Sequence, residues 1–145
     1  MPAIRFFYEE VKFRLSKTTS VRSWIKHVIL LEHKTSGELN YIFCSDNELA
    51  SINSQFLNHD AYTDIITFDG KEDDGQIQGD IYISIDRIKE NSSKFETQFI
   101  SELHRVMIHG VLHLIGYSDK TKSERQVMRN KEEAYLSLWT NGSFT

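Results

Sequence analysis

Two histidines four residues apart, followed by a glycine and a carboxylate, place the strongest constraint on how this chain folds. The segment reads HGVLHLIGYSD over residues 109–119. In a helix of about 3.6 residues per turn, His109 and His113 share one face, so both imidazoles can point at one cation. Gly116 favours a helix end because glycine readily adopts the left-handed conformation of a C-terminal cap. The chain can then turn back and bring Asp119 round as a third ligand, which predicts a metal site with one open position.

The residue after the first histidine limits the chemistry of such a site. A metalloprotease helix reads His-Glu-x-x-His, and its glutamate is the general base. Here that position is Gly110, so the pattern indicates a metal helix without peptidase chemistry. The alternative is that His109 and His113 are packed core residues whose ring nitrogens are satisfied inside the protein.

Length and composition favour a single domain over residues 1–145 with a substantial core, because 39% of the residues are hydrophobic and 12% aromatic. The net charge of −4 does not indicate a general nucleic-acid-binding surface. A local basic patch stays open, although a solvated helix face is the default interpretation of the cations in the C-terminal half: Arg87, Lys89, Lys94, Arg105, Lys120, Lys122, Arg125 and Arg129.

The expected compartment is the cytoplasm. The only cysteine, Cys44, excludes an internal disulfide and is expected to be a buried, inert thiol. We find no charged-then-apolar leader and no run near the roughly 18 apolar residues that a membrane span needs. We therefore expect no membrane partner.

Hydrophobic periodicity predicts strands alternating with helices. Strands are expected at residues 4–8, 38–43, 65–68 and 79–84. Helices are expected from Ser20 to 31, from Ser45 to 57, from Ser84 or Asp86 towards 91, from about Lys94 through the histidine motif, and over 121–138 with Val127, Met128, Tyr135 and Leu138 buried. The predicted class is α+β, with a small mixed sheet of about four strands, about five helices and the metal site on a central helix.

Three segments of this sequence resemble the YbeY family of bacterial metal-dependent rRNA maturation factors. The histidine motif resembles the family signature, and DAYTDIITF over residues 60–68 resembles its Asp-x-Pro-Thr-Asp-Val-Leu-Ser-Phe segment. GDIYIS over residues 79–84 resembles its Gly-Asp-Ile strand. The segments occur in the family's order and at plausible spacings.

The resemblance implies a metal-dependent endoribonuclease that acts in rRNA maturation and in ribosome assembly or quality control. It implies one Zn²⁺ per chain, held by His109, His113 and Asp119. The implied partners are rRNA or pre-rRNA, with a ribosomal protein or a ribosome-associated GTPase as candidate protein partners, and the implied state is a monomer.

The chain departs from the family pattern at two positions that bear on chemistry. The family's usual third ligand is a histidine where this chain has Asp119, and a carboxylate is an equally competent zinc ligand. The family's arginine three residues before Asp60 is Leu57 here, which removes the natural clamp for a phosphate. His59 and Arg105 are the candidate catalytic residues that would take over this contact.

Three further polar residues are candidates for supporting or substrate-contacting roles. Asp64 and Asp80 would orient the ligand histidines as hydrogen-bond acceptors, or would instead make local backbone hydrogen bonds. Thr63 would contact a phosphate, or is present for its β-propensity.

Two other functions remain open at this point. In RNA hydrolysis the cation would polarise a phosphate oxygen or lower the pKa of bound water. The alternatives are a non-catalytic ribosome-assembly factor whose metal is structural, and a metal-dependent hydrolase of another substrate. Leucine in place of arginine at position 57 favours the assembly factor, whereas a ligand set of three residues with an open fourth position favours catalysis.

Overall fold

The fold contains four strands and five helices in the part of the chain that the structure describes. A computed structural model describes residues 3–57, 63–70 and 75–144. The elements in chain order are β1 (Ile4–Glu9), α1 (Thr18–Leu31), β2 (Thr35–Cys44), α2 (Asp46–Leu57), β3 (Ile65–Asp69), β4 (Gln76–Ser84), α3 (Ile85–Lys94), α4 (Phe99–Ile115) and α5 (Lys122–Thr140). The predicted α+β class, with about four strands and about five helices, is confirmed.

The sheet is mixed and has the order β1-β2-β4-β3. Strand β2 pairs in parallel with β1 and with β4, and β3 pairs antiparallel with β4. Ile81 of β4 lies between Tyr41 of β2 and Thr67 of β3 in this register. Helix α4 packs against β3 and β4, which sets the histidine motif beside the antiparallel edge of the sheet.

Gly110 is required by the packing of α4 on the sheet. A Cβ atom at this position would lie 2.9 Å from Ile65 Cδ1 and 2.9 Å from Ile81 Cγ2, closer than real Cβ contacts. The position where a metalloprotease carries its glutamate therefore faces the sheet in this protein. A larger side chain there would require the side chains of Ile65 and Ile81 to shift.

Two buried hydrogen bonds connect the helices to the core. Trp24 Nε1 on α1 donates to the backbone oxygen of Tyr135 on α5 at 2.9 Å. The Tyr41 hydroxyl on β2 donates to the backbone oxygen of Met107 on α4 at 2.9 Å. Since a buried polar group without a partner is costly, these bonds fix how α1, α4 and α5 sit relative to the sheet. Cys44 is buried and free, as expected.

The helix expected from about Lys94 begins later, at Phe99, because α3 continues to Lys94 and a turn follows it. Helix α3 ends at Lys94, Phe95 is 59% exposed, and Glu96 has a positive φ of 55°. The Thr97 amide donates to the Ser92 carbonyl at 2.9 Å, which closes the turn before α4 begins. The apolar spacing of the sequence continues across this turn, so periodicity alone placed the start of α4 too early.

Smaller differences concern where elements begin and which side chains are buried. Helix α1 begins at Thr18 after a left-handed Lys17, rather than at Ser20. Val127 is 46% exposed, because the buried positions of α5 are Met128, Glu132 and Tyr135. Within residues 3–57, 63–70 and 75–144, no helix is both long and apolar enough to cross a membrane.

Candidate metal centre

The histidine motif occupies the last two turns of α4 and ends as the sequence predicts. Gly116 is the C-cap with a positive φ of 128°, a conformation that favours glycine. The amides of Gly116 and Tyr117 donate to the Leu112 carbonyl at 3.1 and 3.0 Å. These bonds satisfy a carbonyl that the helix end leaves open, and they turn the chain back towards the histidines.

The turn brings Asp119 to the two histidines. His109 Nε2 and His113 Nε2 lie 2.9 Å apart, and Asp119 Oδ2 lies 3.3 and 3.4 Å from them respectively. Helix α5 starts directly afterwards with a capping box, in which Thr121 and Glu124 bond each other's backbone amides. The cap fixes the chain just after Asp119. Both ends of the loop over residues 116–121, the ligand loop, are therefore anchored.

Each histidine is held through its other ring nitrogen. His109 Nδ1 lies 2.7 Å from Glu132 Oε2, and His113 Nδ1 lies 3.0 Å from the Tyr117 carbonyl oxygen. Both partners are acceptors, so each Nδ1 carries the proton and each Nε2 presents a lone pair. Two lone pairs and a carboxylate oxygen then face a common point, an arrangement that a cation stabilises.

The distances within the triad fit a tetrahedral metal ion. With metal–ligand bonds of about 2.0 to 2.1 Å, tetrahedral ligands lie about 3.3 Å apart. The observed separations of 2.9, 3.3 and 3.4 Å are close to that value. The side chains of His109, His113 and Asp119 are all partly exposed, so the fourth position opens to solvent.

Glu132 is the functional residue that sequence reasoning missed most clearly. It is 6% exposed, and its two oxygens divide between His109 and Arg105, whose Nη1 lies 3.1 Å from Oε1. Arg105 also donates to Glu133 at 2.7 Å. A signal was present, because Glu132 falls in helical register with the buried Met128 and Tyr135.

Glu32 holds the ligand loop from the other side. Its side chain is 7% exposed and accepts from Tyr117 Oη at 2.6 Å, from Lys131 Nζ at 2.9 Å and from Tyr135 Oη. Burial opposes ionisation, but these three donors outweigh it and hold the pKa of Glu32 below its ordinary value. Since the Tyr117 carbonyl accepts from His113, Glu32 supports that ligand through Tyr117.

The electrostatics around the triad are acidic. Burial works against protonation of His109, but its hydrogen bond with Glu132 and the charges of Glu132, Asp119 and Asp64 raise its pKa. Burial raises the pKa of Asp64, and Asp119 and Glu132 act in the same direction. Negative charges that raise the proton affinity of an imidazole also favour a metal cation at the same point.

The structure brings only some of the predicted site residues together. His109, His113 and Asp119 form the triad, Asp64 interacts electrostatically with His109, and Arg105 contacts Glu132 behind the triad. The catalytic role predicted for Arg105 stays a prediction, since the contacts of its guanidinium described above are with two glutamates.

The other candidates lie elsewhere or outside the described residues. Asp80 accepts a hydrogen bond from Asn40 at 3.0 Å across the sheet, and Thr63 donates to the Ile65 carbonyl at 3.4 Å. The Asp80 contact is with a side chain on a neighbouring strand rather than with local backbone, and Thr63 precedes β3, so the supporting roles of both residues stay predictions. His59 falls outside the described residues, as does the side chain of Leu57 at the end of α2.

A cleft of about 410 Å³ opens beside the triad. Its walls are the triad residues His109 and Asp119, together with Glu132 and one face of α5. The contributing α5 residues before Glu132 are Lys122, Arg125, Gln126, Met128 and Arg129. The triad therefore lies at the side of an open, solvent-filled channel rather than in a closed structural site.

The family profile described as Endoribonuclease YbeY matches residues 7–140 of this chain. The chain belongs to the YbeY family. A Cytophaga hutchinsonii protein named Endoribonuclease YbeY is 50% identical over 135 residues, covering 93% of this chain and 94% of that protein. A Flavobacterium psychrophilum protein of the same name is 51% identical over 133 residues, covering 92% and 94%. The predicted resemblance and the expected class of enzyme are thereby confirmed at the level of the family.

A solved structure agrees with the fold. The solution structure of TM1509 from Thermotoga maritima superposes with a TM-score of 0.63 at 27% identity, covering 95% of this chain and 94% of that one. The similarity extends over nearly the whole length of both chains, so it includes the sheet and the helices that position the triad.

Proposed function

We propose that this protein is a zinc-dependent endoribonuclease that cleaves ribosomal RNA precursors. The observation that carries the proposal is the convergence of His109 Nε2, His113 Nε2 and Asp119 Oδ2 on one point beside an open cleft. Two imidazoles and a carboxylate with an open fourth position are the donor set of catalytic zinc sites. The family name supports the reaction class, and the triad beside the cleft supports this part of the molecule as its site.

The protein residues position the reaction centre. Glu132 and the Tyr117 carbonyl accept the Nδ1 protons of His109 and His113, which leaves each Nε2 to face the metal position. Asp119 would supply the one anionic ligand. A zinc ion held there would polarise a phosphate oxygen and lower the pKa of its water. The residue after His109 is Gly110, which supplies no base, so the proton would go to water, to the substrate or to a neighbouring carboxylate. Asp64 is the carboxylate to test, by substitution with asparagine.

The test separates a catalytic metal from a structural one. Purified protein is incubated with a structured rRNA fragment, with and without a chelator, and melting is followed on the same samples. The proposal expects cleavage that the chelator abolishes and added zinc restores, while the fold persists at the assay temperature. Cleavage that survives complete metal removal would contradict it.

The same samples distinguish the two rival functions. An assembly factor with a structural metal would bind the fragment without cutting it, and would lose melting temperature when the metal is removed. A hydrolase of another substrate would keep its metal and fold but leave RNA intact. The open cleft beside the triad favours a catalytic metal over a structural one, because structural zinc sites are closed by four protein ligands. The name of the family favours RNA over another substrate.

The physiological setting is part of the proposal. We propose pre-rRNA as the substrate in the cytoplasm, and a ribosomal protein or a ribosome-associated GTPase as the partner that brings the enzyme to it. Co-sedimentation of the protein with ribosomal particles at low salt tests this setting. Migration only at the top of the gradient, with active enzyme, would contradict it.

A further inference from the structure

One face of α5 carries three cations along the cleft that holds the triad. Lys122, Arg125 and Arg129 are spaced three and four residues apart, so they project from one side of the helix. All three are exposed, and all three line the same cleft as His109 and Asp119. The eight residues from Lys122 to Arg129 extend about 10 Å along the helix axis.

These cations stand out against the charge of the whole chain. The protein has a net charge of −4, so a polyanion is not attracted to its surface in general. The acidic residues of the same cleft are already engaged, Asp119 with the histidines and Glu132 with His109 and Arg105. The positive charge of the cleft is therefore concentrated on α5, directly beside the triad.

We propose that Lys122, Arg125 and Arg129 bind successive backbone phosphates of a single RNA strand and guide it into the metal site. This inference rests on the proposed function and adds the substrate-binding surface to it. Arginine suits this task because its planar guanidinium can bind phosphate through two hydrogen bonds. Contacts of this kind position a strand without reading its sequence.

Salt dependence gives a direct measure of such contacts. Each phosphate contact on a single strand contributes about 0.7 to the slope of log affinity against log salt concentration. Replacing Lys122 and Arg129 with glutamine should lower the slope by about 1.4 and weaken binding about tenfold at moderate salt. Arg125 is left unchanged in this variant because its Nη1 also donates to backbone carbonyls at residues 119 and 120, at 3.5 and 3.0 Å.

The control variant removes the same charge elsewhere. Lys26 on α1 and Lys89 on α3 are exposed and lie outside this cleft. Lys26→Gln/Lys89→Gln therefore matches the change in net charge of Lys122→Gln/Arg129→Gln. Both are compared with wild type by fluorescence anisotropy on a 2′-O-methyl RNA 12-mer, which is checked by gel to remain intact. Metal content and melting temperature are measured on each protein.

The proposal expects a shallower dependence of log affinity on log salt concentration, and a lower affinity, in Lys122→Gln/Arg129→Gln alone. Metal content should be unchanged. In the cleavage assay the same variant should raise KM more than it lowers kcat. Equal losses in both double variants would overturn the proposal, since net charge alone would explain them. Displacement of the RNA by poly-glutamate at equal charge concentration would also overturn it, because the face would then bind acidic protein.

Failure of the inference and failure of the proposed function give different results. If the wild-type protein cuts RNA and Lys122→Gln/Arg129→Gln still binds RNA normally, the α5 surface is refuted and the nuclease is not. A wild-type protein that binds the 12-mer through α5 but never cuts rRNA would refute the nuclease and leave the binding surface standing.

Discussion

Helix α4 carries two kinds of histidine, and the difference between them shows which surroundings prepare an imidazole to bind a metal. His104 is 2% exposed and packs against Trp24 and Trp139, with ring centroids 5.2 and 4.6 Å away. Its Nε2 has no hydrogen-bond partner among the described residues, and burial lowers its pKa to about 4. It is a packed core histidine, although its Nε2 is unsatisfied, unlike the ring nitrogens in the alternative stated for His109 and His113.

His109 and His113, one and two turns further along, have what His104 lacks. Each has an acceptor at Nδ1, a carboxylate for one and a backbone carbonyl for the other, and each faces Asp119 through Nε2. An apolar setting makes an imidazole neutral and inert, whereas an acceptor behind it and a carboxylate in front of it prepare it for a cation. The surroundings of the ring decide its role.

The largest expected effect comes from removing a ligand histidine. His113→Ala should lower the rate of RNA cleavage at least about a thousandfold, because the metal's charge stabilisation is worth several kcal/mol. The rate is measured on an rRNA fragment with saturating zinc. A cleavage rate of His113→Ala within tenfold of the wild-type rate would contradict this, because His113 would then be no more a metal ligand than His104.

The second effect is specific to His104 and concerns stability against pH. The pKa of His104 is depressed from about 6.5 unfolded to about 4 folded, so the unfolded state takes up the proton first. Neutral His104 therefore contributes about 3 kcal/mol to the free energy of unfolding above pH 6.5. This contribution is lost as the pH falls from 6.5 to about 4. Urea unfolding of metal-free wild type and His104→Leu should show this loss only in wild type. Parallel pH profiles would contradict it.

The third effect tests the carboxylate behind His109. Glu132→Gln should weaken metal affinity about 10- to 100-fold, because the amide is a weaker acceptor for the Nδ1 proton. Glu133→Gln is the matched control, since Glu133 also contacts Arg105 and is exposed. Competition with a chromogenic chelator measures both. Equal affinities in the two variants would mean that Glu132 acts only through Arg105.

The smallest effect tests the support of His113. Tyr117→Phe removes the hydroxyl that Glu32 accepts but leaves the backbone carbonyl that His113 uses. We expect a loss of about 1 to 3 kcal/mol in the free energy of unfolding, with metal affinity reduced less than tenfold. Denaturant melts and chelator competition measure the two quantities. If Tyr117→Phe lowers metal affinity more than Glu132→Gln does, Glu32 and Tyr117 support the site more strongly than Glu132 does, which would contradict the prediction.

Local signals in the sequence predicted much of the site. The spacing of His109 and His113, the helix end at Gly116 and the position of Asp119 all depend on residues within eleven positions of one another. The sequence offered Ser84 or Asp86 as the start of α3, and the structure has Ser84 as the N-cap, with its hydroxyl accepting from the Arg87 amide. Such features follow from backbone geometry that a short segment fixes by itself.

The supports of the site depend on tertiary packing, which a single sequence shows poorly. Glu132 reaches His109 across 23 positions and Glu32 reaches Tyr117 across 85, so no local pattern pairs them. The start of α4 was expected at about Lys94 rather than at Phe99, because apolar spacing continues through the turn between α3 and α4. The acidic residue in the apolar register of α5 was the one usable sign, and sequence reasoning overlooked it.

Metal content tests the central claim most directly. Wild type, His109→Ala and His104→Leu are purified without affinity tags, dialysed against metal-free buffer and analysed for all transition metals. The account predicts about one zinc per chain in wild type and in His104→Leu, and none in His109→Ala. Equal metal in all three proteins, or none in wild type after zinc is added and excess removed, would contradict it.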